Sequence, residues 1–235
     1  MADELKTSER FPDPAKTIAQ FSVLETWGKS AGGNPIYAKR FTSGDRRVLF
    51  IGGVHGNETE GVAATLGFFN EFIAGDKIPA TGSDLLFIPV LSPDGFLACS
   101  RHNGNAVDLN RNMATKDWKK NERGEKYYSG PAANSEPETQ LLLRVLEEFK
   151  PGFILSLHSW KPMFNVNGPA HVYAEKMRSQ LAYEITEDIG YPTPGSLGTY
   201  AGWERQIPTI TFEIERGLPL AEVYPTVRGA LLAVL

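Results

Sequence analysis

His55 and Glu58 stand three positions apart in His55-Gly56-Asn57-Glu58, directly after an apolar run at residues 47–54. A turn or a first helical turn brings positions i and i+3 to the same side, so the pair offers a nitrogen and an oxygen donor together. His158 follows a second apolar run, residues 152–157. An imidazole there would be costly without a partner. Catalytic zinc takes three such donors and keeps a fourth position open for water. Glu213 ends a run at 207–214 and is a carboxylate that could take a proton from that water. Taken singly, each residue also has a plainer reading. Glu58 could be an acid in the first turn of the helix that follows, and His158 a hydrogen-bonded core histidine. His102 and His171 fall in loop-like segments and are weaker candidates.

The elements that must position these groups follow from the pattern around them. Residues 47–54, 85–91 and 152–157 are short apolar runs bounded by Gly and Pro, the signature of buried strands. Residues 21–27 and 36–42 read as two further strands around the turn residues 30–35, and 207–214 as a strand carrying Glu213. Helices are expected at about 60–74, with Val62, Leu66, Phe69 and Ile73 on one stripe, and at 174–189 and from about 219 to the end. Ser135-Glu136-Pro137-Glu138 reads as a capping box with proline in the first turn of another helix, running to about Lys150. Residues 1–20 read as a loose arm, and the whole of 1–235 as a single domain. Strands alternating with helices make an α/β layered fold with a largely parallel sheet. In such sheets ligands gather at the carboxyl ends of strands, where His55, His158 and Glu213 all fall.

Composition narrows the partners. The net charge of −4 gives no basic face of the kind a nucleic-acid binder shows. No apolar run approaches the length needed to span a bilayer, so no membrane partner is expected. A single cysteine, Cys99, excludes an intramolecular disulfide. The polar N-terminus shows no signal peptide, and a cytoplasmic location is expected.

The order and spacing of several motifs resemble the zinc carboxypeptidases of the carboxypeptidase A type. The motifs are His55-Gly56-Asn57-Glu58, Arg101 seven residues before Asp108-Leu109-Asn110-Arg111-Asn112, His158-Ser159 and Thr211-Phe212-Glu213-Ile214. The resemblance spans residues from about 45 to 216. It implies a three-layer α/β/α fold with a mixed, largely parallel central sheet, and one zinc ion held by His55, Glu58 and His158. It further implies Glu213 as the general base toward the zinc-activated water. Glu215, two residues on and on the same face of the strand, is the runner-up. Arg101 would polarise the scissile carbonyl, and Asn110 with Arg111 would grip a terminal carboxylate of the substrate.

Within that family, three segments are similar to the bacterial murein peptide amidases. These are 105–112, Glu136-Pro137-Glu138-Thr139-Gln140 and Thr193-Pro194-Gly195-Ser196-Leu197-Gly198-Thr199-Tyr200. This likeness implies hydrolysis of the γ-D-glutamyl–meso-diaminopimelate bond in a small muropeptide with a free carboxylate. The segment Ser159-Trp160-Lys161-Pro162-Met163-Phe164 departs from that subgroup and is expected to line the pocket. The loop 191–203 is expected over the site, with Tyr200 or Trp203 as the aromatic that reaches substrate and Glu204 as a partner for an amino group. Deacylases of the aspartoacylase and succinylglutamate type also carry His-Gly-x-Glu and Asp-Leu-Asn-Arg segments, and N-acyl amino acid hydrolysis is the alternative activity.

Overall fold

The structure, a computed structural model, describes residue 11 and residues 13–74 and 82–235. Eight strands form one mixed sheet: β1 (Glu25–Lys29), β2 (Pro35–Thr42), β3 (Arg46–Ile51), β4 (Ser83–Ile88), β5 (Phe153–Trp160), β6 (Met163–Asn167), β7 (Glu184–Thr186) and β8 (Thr209–Glu215). Their order across the sheet is β1-β2-β4-β3-β5-β8-β6-β7. β4, β3, β5 and β8 run parallel in the middle, while β1–β2, β2–β4 and β6–β8 are antiparallel pairs.

Residue alternation divides the core into two layers. Strand side chains point to opposite faces in turn. Val48 and Phe50 of β3, Leu85 and Phe87 of β4, and Phe153 and Leu155 of β5 enter one cluster. They meet Val62 and Phe68 of helix α2 (Thr59–Phe68) and Val223 and Val227 of helix α6 (Leu220–Leu232). Their neighbours Leu49, Ile51, Leu86, Ile88 and Ile154 enter the other cluster with Leu141, Leu142 and Val145 of helix α4 (Pro137–Glu148). Burying both faces explains the continuous apolar runs in the sequence. On β8, Ile210, Phe212 and Ile214 fill the first layer. Glu213 therefore faces the other side. On β5, Leu157 belongs to the first layer, so His158 also faces the other side. The two residues are register partners on adjacent parallel strands.

Several local expectations change. Within the expected loose arm 1–20, Pro14–Gln20 is a helix, α1, capped by the Asp13 carboxylate accepting from the Lys16 N–H. Residues 1–10 and 12 lie outside the described residues. The strand expected at 21–27 begins later, because Phe21–Val23 makes a 3-10 turn on the end of α1. The helix expected over 60–74 is α-helical only to Phe68 and finishes in a π-turn at Phe69–Ile73. The helix expected at 174–189 is shorter and earlier, His171–Arg178 (α5), and strand β7 takes the rest of that span. A short helix α3 (Pro93–Leu97) follows β4. No helix among the described residues is long and apolar enough to cross a membrane.

Candidate functional site

The β3 strand ends at Ile51, and the chain turns through Gly52-Gly53 to reach His55. Gly53 has φ +57, a conformation that glycine adopts without penalty. A Cβ at Gly56 would collide with the backbone carbonyl of Gly95. The loop therefore packs against α3 as closely as only glycine allows, and this seats His55. Glu58 occupies the N-cap position of α2, yet makes no side-chain capping bond. Its carboxylate turns instead to the histidines.

Three donor atoms converge there. Glu58 Oε1 lies 2.9 Å from His55 Nδ1, and Glu58 Oε2 lies 2.8 Å from His158 Nδ1. The two Nδ1 atoms are 3.2 Å apart. All three residues are buried. His55 Nε2 faces Asp108 Oδ1 at 2.9 Å. Burial would raise the Asp108 pKa, but the charges of Arg101 and His55 outweigh it and hold the carboxyl far below its ordinary value. An ionised carboxylate only accepts, so His55 Nε2 carries a hydrogen toward Asp108, and Nδ1 is the ring nitrogen turned to Glu58. Burial also pushes Glu58 up, and positive charge at His55 and His158 outweighs it, so Glu58 stays ionised. Two imidazole Nδ1 atoms and a carboxylate converge on one point, and a nitrogen, nitrogen, oxygen donor set suits zinc. His55, Glu58 and His158 fit a metal, and these three form the candidate metal cluster among the described residues.

A cleft of about 540 Å³ opens on this cluster. Arg101, Asn110, Arg111 and Glu213 all line it, so these four and the three residues of the cluster come to one place. Arg101 donates from Nε to Asp108 Oδ2 at 2.8 Å and from Nη1 to Glu58 Oε1 at 3.2 Å. Nη2 is the guanidinium nitrogen left to the cleft. Asn110 accepts from the Leu197 N–H at 2.9 Å, tying the loop after α5 to the cleft wall. Arg111 donates from Nη1 to the Asn110 carbonyl at 2.7 Å, and its buried Nη2 has no partner. Glu213 Oε2 is also buried without a partner. Burial pushes the Glu213 carboxyl up to about 7; His158, Arg101 and Arg216 pull the other way, and Glu58 adds to the rise.

Asp108, Tyr127 and Tyr191 carried no role of their own in the sequence. Asp108 was visible only as part of its motif, yet it orients both His55 and Arg101, as outer partners of metal ligands do. Tyr127 lies under both Arg101 and Arg111, at 5.2 and 4.9 Å from its ring centre. Tyr191 stacks on Tyr127 and meets Trp160 edge-on. Tyr191 is therefore the aromatic of the 191–203 loop that reaches the cleft, rather than Tyr200 or Trp203. Tyr200 packs on the α4 layer under the Arg205 guanidinium, and Trp203 is exposed. Glu204 accepts from the Lys116 N–H and is not among the cleft residues. Of the segment 159–164, only Ser159 and Trp160 line the cleft. Phe164 points into the core against Phe212.

Comparisons with known proteins agree with this geometry. A murein peptide amidase A of Vibrio campbellii is 32% identical over 215 residues, covering 86% of this chain and 83% of its own. The Escherichia coli K12 protein of the same name is 30% identical over 189 residues, 75% of each chain. A solved murein-tripeptide amidase from Escherichia coli O157 superimposes with a TM-score of 0.74 at 25% identity, over 90% of this chain and 91% of its own. Carboxypeptidase A of Helicoverpa armigera shares the fold, with a TM-score of 0.76 at 17% identity over 98% of this chain and 71% of its own. The family model for zinc carboxypeptidases matches residues 13–216, so the chain belongs to the zinc carboxypeptidase family and is a zinc metallopeptidase.

Proposed function

We propose that this enzyme hydrolyses the γ-D-glutamyl–meso-diaminopimelate bond of murein peptides. The observation that carries the reading is two of the buried, partnerless atoms in this cleft. Arg111 Nη2 is a donor in want of an anion, and Glu213 Oε2 is an acceptor in want of a proton. Buried polar groups are nearly always satisfied, so such orphans point to a ligand. A substrate with a terminal carboxylate satisfies Arg111, and an attacking water satisfies Glu213. The murein peptide amidases among its relatives supply the substrate class.

His55, Glu58 and His158 would hold one zinc ion, which supplies Lewis acidity and lets water ionise near neutral pH. The chain's own residues do the rest. Arg111 binds the substrate's free carboxylate as a charge-assisted pair, and Asn110 fixes the loop beside it. This places the scissile carbonyl between Glu213 and Arg101. Glu213 Oε2 takes the proton of the attacking water and returns it to the leaving amine. A carboxyl raised toward neutrality suits both transfers. Arg101 Nη2 donates to the developing oxyanion, while Asp108 holds its Nε side still.

The test is release of diaminopimelate from L-Ala-γ-D-Glu-meso-diaminopimelate by zinc-loaded protein, beside a panel of N-acyl amino acids. Cleavage of the tripeptide is the expected outcome; cleavage of the N-acyl panel alone would transfer the reading to a deacylase. Arg111→Gln is expected to lower kcat/KM roughly 10- to 100-fold, the worth of a hydrogen bond to a charged group. That loss should shrink on a substrate whose terminal carboxylate is amidated.

A further inference from the structure

The cleft has a direction that β8 lays out. Thr211 pairs with Asn165 on β6, and Asn167 on the same strand packs against Gly198 of the loop that Asn110 holds. The Asn110–Arg111 grip is therefore at the Thr211 end. Glu213 sits at the middle. Arg216 lies just past the strand, where its N–H still donates to the Trp160 carbonyl and continues the ladder. At about 3.3 Å per residue, Arg216 is roughly 10 Å beyond Glu213, away from Arg111. Its guanidinium lines the cleft and donates from Nη2 to the Asn57 carbonyl at 3.3 Å, beside the Glu58 ligand. A second cation thus stands on the opposite side of the reacting centre from the first.

Arg111 takes the carboxylate of the leaving residue, so whatever lies toward Arg216 belongs to the acyl side of the scissile bond. We propose that Arg216 recognises a carboxylate on the acyl-side residue, the α-carboxylate of a γ-linked glutamyl group. This rests on the proposed function and names the residue that reads its unusual linkage. In an ordinary α-linked peptide the position next to the scissile carbonyl carries an amide. In a γ-linked glutamyl residue a short aliphatic spacer ends in an ionised carboxylate, which a guanidinium recognises by a charge-assisted hydrogen bond. Arg216 is a specificity residue by this account and takes no part in proton transfer.

The experiment crosses two changes. Zinc-loaded wild type, Arg216→Gln and Arg216→Lys are each given the γ-D-glutamyl–diaminopimelate peptide and its γ-D-isoglutaminyl counterpart, in which the α-carboxylate is an amide. Wild type is expected to prefer the acid roughly 10- to 100-fold in kcat/KM, the range for a hydrogen bond to a charged group. Arg216→Gln should lose that preference by falling on the acid, while Arg216→Lys keeps part of it. A preference that survives in Arg216→Gln, or an equal fall on both peptides, overturns the proposal. If the variants fail to fold, the wild-type pair alone decides, because an enzyme indifferent to amidation does not read that carboxylate. Failure of wild type to cleave either peptide would instead sink the proposed function.

Discussion

Glu58 and Glu138 are both buried carboxylates at the start of a helix, yet their oxygens face different partners. Glu138 on α4 accepts from the Ala31 N–H and from Asn103 Nδ2. Its neighbour Glu136 accepts from Asn103, Asn105 and Ser135. Asp94 accepts from Ser30, Asn34 and the Gly32 N–H. Every acid in this second knot is met by neutral donors, and the knot ties the β1–β2 turn to α3, α4 and the loop before Asp108. Glu58 meets the Nδ1 faces of two histidines. The number of buried acids is similar in the two places. What separates the structural knot from the metal centre is the partner: neutral amide and hydroxyl donors meet the acids of the knot, while two imidazole nitrogens and the Arg101 guanidinium meet Glu58.

The largest expected effect breaks the metal side of this comparison. Glu58→Gln or His158→Ala should abolish stoichiometric zinc binding, read by elemental analysis, and take hydrolysis with it. Chelation should do the same to the wild type, and added zinc should restore activity. Zinc at a hundredfold excess over its Kd should stabilise the wild type by about 2.7 kcal/mol in thermal unfolding and the ligand variants far less. A Glu58→Gln protein that still held one tight zinc would place the metal elsewhere.

Glu213→Gln comes next. It should lower kcat roughly 10²- to 10⁴-fold, the worth of a positioned general base, with zinc content unchanged. Full activity in this variant would hand the role to another group. Glu215 is a poor substitute, because it is exposed at the strand end while Glu213 faces the metal cluster.

The metal half of the comparison was legible in the sequence and the structural half was not. His55, Glu58, His158 and Glu213 each had a plainer reading alone, and the order and spacing of their motifs, which resemble the zinc carboxypeptidases, singled them out. The strands were visible because both faces of β3, β4 and β5 are buried. Ser135-Glu136-Pro137-Glu138 was read as a local capping box, but the N-cap residue is Glu136, it makes no cap bond, and Glu136 and Glu138 both reach across the fold. A cap and a long-range acceptor use the same residue type at the same spacing, so local pattern does not separate them. The short helix α5 and strand β7 were merged into one helix because residues 179–183 carry no Gly or Pro to mark the break. Tyr191 was passed over for Tyr200 and Trp203 because a loop's path over a cleft is set by packing and not by period.

Breaking the structural knot should cost stability and spare the chemistry. Asn103→Ala removes the amide shared by Glu136 and Glu138. About 1–3 kcal/mol is expected for each buried carboxylate left short of a donor, seen as a lower denaturation midpoint. Zinc content should stay stoichiometric. Loss of zinc at full folding would mean that this knot is part of the metal centre after all.

The smallest effect is a pH dependence. Burial raises the Glu138 pKa, and the Ala31 N–H and Asn103 only partly offset it. A carboxyl raised in the folded state favours its protonated form there. Its contribution is therefore fully present below the unfolded value near 4.3 and is lost as pH rises through the folded value. Glu138→Gln keeps the size of the side chain and removes the titration. The difference in unfolding free energy between wild type and this variant should therefore drift with pH just above the ordinary carboxylate range, wild type losing ground as pH climbs. Paired denaturation curves from pH 4 to 7 read the drift. A difference that is flat in pH would mean that the surrounding donors offset burial in full. A drift of the opposite sign would make Glu138 an acid stabilised in its charged form, erasing the contrast in protonation between it and Glu58.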